Sequence, residues 1–123
     1  MGLLTREQVL TSKDIKNETV KVPEWADGDA DSVLVWTLNG QERDEFEATC
    51  RTKVGDTYET NLIGVRAKLC ALAIRDESGE RVFRDPDVVS LGRKSAAALE
   101  RVFEVASRLS GITKKDIDDT IKN

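Results

Sequence analysis

Between residues 62 and 74 the chain reads LIGVRAKLCALAI, and no other stretch restricts the fold as tightly. Leu62, Val65, Leu69 and Leu72 recur at helical spacing, and Ile63, Ala67, Cys70 and Ile74 form an adjoining stripe. At about 100° per residue the two stripes merge into one broad apolar arc. Gly64, Lys68, Ala71 and Arg75 mark its polar sector. A helix this apolar needs cover on several sides, so the flanking segments must pack around it. Arg66 falls inside the arc. Two placements follow: burial against a carboxylate or carbonyl partner, or a head that snorkels to the rim or faces a partner.

A chain of 123 residues corresponds to one domain. Its 39% hydrophobic and 34% charged residues, with both signs interleaved and a net charge of −4, describe a folded and mainly helical protein. The charge balance argues against nucleic acid as partner, which wants a basic face. No apolar run approaches the roughly 18 residues of a membrane span. The opening MGLLTREQVL lacks the basic and apolar regions of a signal peptide, and Arg6 stands where a myristoylation motif needs Ser or Thr. The expected location is therefore the cytoplasm. Cys50 and Cys70 read as small buried hydrophobes in a reducing compartment.

Thr5 with Gln8 has the form of a capping box opening a short helical turn. Thr19 to Trp25, TVKVPEW, and Ser32 to Leu38, SVLVWTL, read as two strands joined by the polar ADGDAD turn, a β-hairpin over residues 19–38. Pro23 places the first strand at an edge. Asp27, Asp29 and Asp31 alternate as at the start of an EF-hand loop. Ser32 and Leu38 then stand where that loop needs glycine and glutamate, so a solvated turn is the reading. Asn39 and Glu42 form a second capping box. Helices are expected over residues 40–51, 61–75, 86–91, 94–110 and 114–121, with GDTYET a loop and Asn61 a cap. Pro86 sits in the first turn of the fourth segment, whose end is Gly92. Leu99, Val102, Phe103, Ala106 and Leu109 give the fifth a clean apolar stripe, and Ile117 and Ile121 mark the sixth. The expected class is α+β, mainly helical, with an N-terminal β-hairpin packed on a small cluster of α-helices.

The chain contains no histidine, hence neither the commonest general base nor an imidazole metal ligand. It has no nucleophile elbow, P-loop or dinucleotide fingerprint. The expectation is a non-enzymatic interaction domain with no cofactor and no metal.

Two stretches carry a more specific reading: VWTLNGQERDEFE, from Val35 to Glu47, and LGRKSAAALERVFEVASRLSGIT, from Leu91 to Thr113. With the opening LLTREQVL and the pair VPEW, they make the chain similar to the small tail assembly chaperones of long-tailed phages and prophages. The order of elements agrees over most of the chain, although the ADGDADS insertion is longer than that pattern has. The resemblance implies a protein made in the host cytoplasm beside a tape measure protein. Such a chaperone coats that apolar helical chain, keeps it soluble, helps recruit tail tube subunits, and is absent from the mature virion. It also implies a C-terminal extension made by frameshifting in some relatives. The expected partners are the tape measure protein, the tail tube protein and a second copy of the chain. A structural virion component, such as a head–tail connector or minor tail protein, is the alternative with the same size and acidity. The residues expected at the partner surface are Trp25, Trp36, Arg66 and Val105; the two tryptophans could equally cap the core.

Overall fold

The structure is a computed structural model, and it describes residues 2–112. The helix expected over residues 114–121 lies outside the described residues.

The first helix, α1 (Arg6–Thr11), starts at the expected capping box. The Gln8 amide donates to Thr5 Oγ1 at 3.2 Å and the Thr5 amide to Gln8 Oε1 at 2.9 Å. No residue of α1 is buried. The hairpin follows, β1 (Asn17–Lys21) pairing antiparallel with β2 (Ser32–Trp36), from Asn17 opposite Trp36 to Lys21 opposite Ser32. It is shorter than its sequence suggests because Pro23, with no N–H to give to a ladder, instead begins a 3₁₀ turn over Pro23–Trp25. The acidic loop folds back on itself: Asp27 and Ala30 exchange backbone hydrogen bonds of 2.8 and 3.1 Å around Gly28, whose φ is +61°. Among the described residues no group of three acidic or sulfur side chains is placed to hold a metal ion.

Asn39 and Glu42 close the second capping box and open α2 (Gly40–Thr49), which buries Phe46. The next segment, expected to be a loop, is a second antiparallel hairpin, β3 (Arg51–Val54) with β4 (Thr57–Thr60). Gly55-Asp56 is a two-residue connection with Gly55 at φ +62°, a conformation that a side chain would strain.

The apolar helix, α3 (Val65–Ala73), starts later than expected. Asn61 does not cap it: its Oδ1 accepts from the Ile63 amide at 3.0 Å, making a turn before the helix, and left-handed Gly64 takes the cap position. The helix also ends sooner. Ile74 leaves the helix in an extended conformation, the Arg75 amide donating to Leu34 O at 3.0 Å and Ile74 making a single antiparallel bridge to Val35, so the end of the helix is tied to the edge of the two-stranded hairpin. A 3₁₀ turn at Asp85–Asp87, whose cap is Arg84 rather than the expected Asp85, leads into α4 (Val88–Leu91). Ser95 caps α5 (Ala96–Leu109), its Oγ accepting from the Ala98 amide.

The fold is thus α+β, with the N-terminal hairpin against a helical cluster. The core lies between α3 and α5, where Leu69, Cys70 and Ala73 meet Leu99, Val102 and Ala106, and Val22 and Val35 close it from the hairpin. The change of period at Ile74 corrects the assignment of faces. Arg75 leaves the helical register and becomes a half-buried, paired residue, and Ala71 is fully buried. Ile63, ahead of the first helical turn, is 84% exposed. Arg66, expected either to be buried or to snorkel, is exposed and takes the second course. Among the described residues no helix is long and apolar enough to cross a membrane.

Candidate functional site: an apolar groove beside Trp25

The four residues expected at a partner surface do not come together. Trp36, at the end of β2, is half-buried. Its Nε1 donates to Asp76 O at 3.1 Å and its ring lies against Gly79, where an added Cβ would sit 3.8 Å from it. The turn it holds is already tight: Asp76 accepts from the Ser78 amide, the Ser78 hydroxyl and the Glu80 amide at 2.9, 2.7 and 3.0 Å. The Ser78 hydroxyl, before the amides, holds the Asp76 carboxyl below its ordinary range. Trp36 is therefore a support for this turn.

Arg66 pairs with Glu100 on α5, and its guanidinium lies 6.0 Å from the centroid of the Phe103 ring. The aliphatic stem covers the α3–α5 seam while the charge stays in water. Val105 is half-buried against the core.

Trp25 is placed differently. Neighbouring Glu24 receives both terminal nitrogens of Arg101 on α5, at 2.6 and 2.9 Å. That bidentate pair fixes the 3₁₀ turn and keeps the Glu24 carboxyl below its ordinary range. The indole lines a groove of ≈ 500 Å³ formed with Val82, Phe83, Asp87, Ser90, Leu91 and Lys94. Leu91 belongs to the core, whereas Val82 is 53% exposed. Trp25 Nε1 is sealed from solvent without a hydrogen-bond partner. A buried N–H left so is a cost that normally has a reason. Of the four expected residues, Trp25 alone lines this groove. Val82, Phe83, Leu91 and Lys94 were not foreseen, although the apolar residues of VFRDPDVVSL outnumber what one turn of helix can hide.

A second hollow, ≈ 690 Å³, is lined by Glu45, Thr49, Lys68, Leu72, Arg81 and Asp85. Here Lys68 Nζ donates to Thr49 O at 2.9 Å, and Arg81 donates to Ala71 O and Asp85 at 3.3 and 3.1 Å, while Arg81 Nη2 is buried without a hydrogen-bond partner. Both cysteines are buried free thiols. Burial pushes the Cys70 thiol up to about 12 and raises that of Cys50.

No family model, curated protein or solved structure matches the chain. What the groove offers is apolar surface, two aromatic side chains, Trp25 and Phe83, and a rim with one acid and one base. Surface of this kind suits an apolar segment of another polypeptide.

Proposed function

We propose that the protein is a tail assembly chaperone that binds an amphipathic helical segment of a tape measure protein in the Trp25 groove, keeps that client soluble and helps recruit tail tube subunits. It works without catalysis, in the host cytoplasm, and leaves before the virion is complete. The sequence resemblance suggests the client. The observation that carries the reading is the open apolar groove itself, where Trp25 and Phe83 pack against the core on one side while Val82 is 53% exposed. A helix laid across it would place side chains at i, i+3 and i+4 among these residues.

The test is a fluorescence titration of the full chain, through Trp25, with a synthetic amphipathic helix taken from a tape measure protein. Binding driven by apolar burial keeps its affinity as salt is raised, unlike a contact made by exposed charges. Val82→Glu, on a half-exposed site, should weaken it about tenfold or more. Binding that vanishes with salt, or ignores Val82→Glu, would contradict the proposal. Recovery of the chain in purified particles would favour the structural virion component.

A further inference from the structure

Asn39 precedes a glycine, Gly40, whereas Asn17 and Asn61 precede Glu18 and Leu62. A glycine nitrogen has no Cβ beside it, so it is the least hindered nucleophile the main chain presents to the side-chain amide before it. Gly40 opens α2, and the N–H of a first helical residue has no intrahelical acceptor. Both residues are exposed, so base in the solvent reaches that N–H.

The fold holds the two reacting atoms apart. Asn39 has φ −76° and ψ 173°, which staggers its Cβ and the Gly40 nitrogen about the Cα–C bond. A ring closed between that nitrogen and Asn39 Cγ needs them nearly eclipsed, and this takes ψ outside both the extended and the helical regions. The side chain is held as well. Its Oδ1 accepts from the Glu42 amide at 2.8 Å, and the Asn39 amide donates to Glu42 Oε1 at 3.0 Å. The other Glu42 oxygen pairs with Arg75. These restraints act on the first turn of α2, while Phe46 anchors the helix further along. The first turn can therefore open without the rest of the fold.

We propose that Asn39 is a site of spontaneous deamidation and that its capping box with Glu42 sets the rate. Hydroxide takes the Gly40 amide proton, and the nitrogen attacks Asn39 Cγ. The bond from Cγ to the side-chain nitrogen breaks, and that nitrogen takes a proton from water and leaves as ammonia. Water then opens the succinimide at either carbonyl. Opening at Cγ restores the main chain with an aspartate at position 39. Opening at the backbone carbonyl routes the main chain through Cβ as isoaspartate. The aspartate caps α2 as well as the asparagine does. The isoaspartate adds a methylene carbon to the main chain next to Leu38, which is buried with its amide held by Ser110 Oγ at 3.0 Å. It also displaces the Asn39 carbonyl that accepts from the Arg43 amide at 3.0 Å. This chemistry is independent of the Trp25 groove and of any client.

Peptide mapping by mass spectrometry of the full chain, aged in mildly alkaline buffer, locates the new acid and separates aspartate from isoaspartate. Conversion is expected at Asn39 and not at Asn17 or Asn61. It should be roughly ten- to a hundredfold slower in the folded chain than in urea, because only the opened turn reacts. Glu42→Ala removes half of the capping box and the Arg75 pair. It should speed the folded chain about fivefold and leave the rate in urea unchanged. Gly40→Ala adds a Cβ where no atom lies within 4 Å, and it should slow conversion in both states. The purified isoaspartate fraction should melt below the wild type, and Asn39→Asp should melt with the wild type. Equal rates in the folded and unfolded chain would overturn the proposal. So would a folded chain that never converts at Asn39, or a Gly40→Ala chain that converts as fast as the wild type.

Discussion

Arg75 ties the end of α3 to α2 and to the turn at Gly79. It donates to Leu72 O at 2.9 Å and Gly79 O at 3.2 Å and pairs with Glu42, at a junction where both side chains are largely buried. Arg75→Ala removes the charge and orphans two carbonyls, so a loss of about 1–3 kcal/mol is expected in urea melts. Arg66→Ala breaks an exposed pair and should cost about 0–1 kcal/mol. Leu69→Ala, at a fully buried site, should cost about 2–5 kcal/mol. The thiols make a second test. The folded-state value of Cys70 is raised from 9.0 to about 12, so its neutral form stabilises the fold below pH 9 and that contribution is lost as pH rises from 9 to about 12. A thiol reagent at pH 8 should leave Cys70 untouched until the chain is unfolded. Leu69 and both cysteines were legible as core positions, because helical spacing is a property of neighbouring residues. Arg75 was not, because its placement depends on the helix ending at Ala73.

Helix caps behave according to what their helix touches. Asn39 caps α2, which packs through Phe46, so Asn39→Ala should cost about 1 kcal/mol of global stability. Thr5 caps α1, which buries nothing of its own chain. Thr5→Ala should therefore leave the urea midpoint unchanged; a shift comparable to that of Asn39→Ala would mean that α1 is packed. The second hairpin is two-stranded and exposed on both faces apart from Thr60. Such a ribbon is marginal by itself, so amide exchange in β3 and β4 should be much faster than in α3 and α5. Both capping boxes were legible because the signal lies within four residues. The second hairpin had a local signal too, Gly55-Asp56 between β-branched residues, but its strands of four residues lack an apolar alternation to announce them. The sequence pattern makes the first hairpin longer than it is, since Pro23 both continues an extended pattern and ends it.

In the assembled chain, the class of fold followed from two apolar helices too hydrophobic to stand alone and one β-branched hairpin. The groove did not follow. It joins a 3₁₀ turn at Trp25, a bend at Val82 and Phe83, and residues 87–94 around α4, and no local pattern records that these meet. Trp36 and Trp25 looked equivalent in the sequence, and what separates them is a backbone carbonyl at Asp76 for one and an arginine clamp beside the other. The proposed function rests on that groove being a binding surface for an apolar client. Co-expression with a tape measure protein, followed by affinity capture and measurement of the client's soluble fraction, tests it most directly. A recovered complex is expected, with a client that is soluble with the wild-type chain and insoluble with Val82→Glu. A client equally soluble without the chain, and no complex, would contradict it.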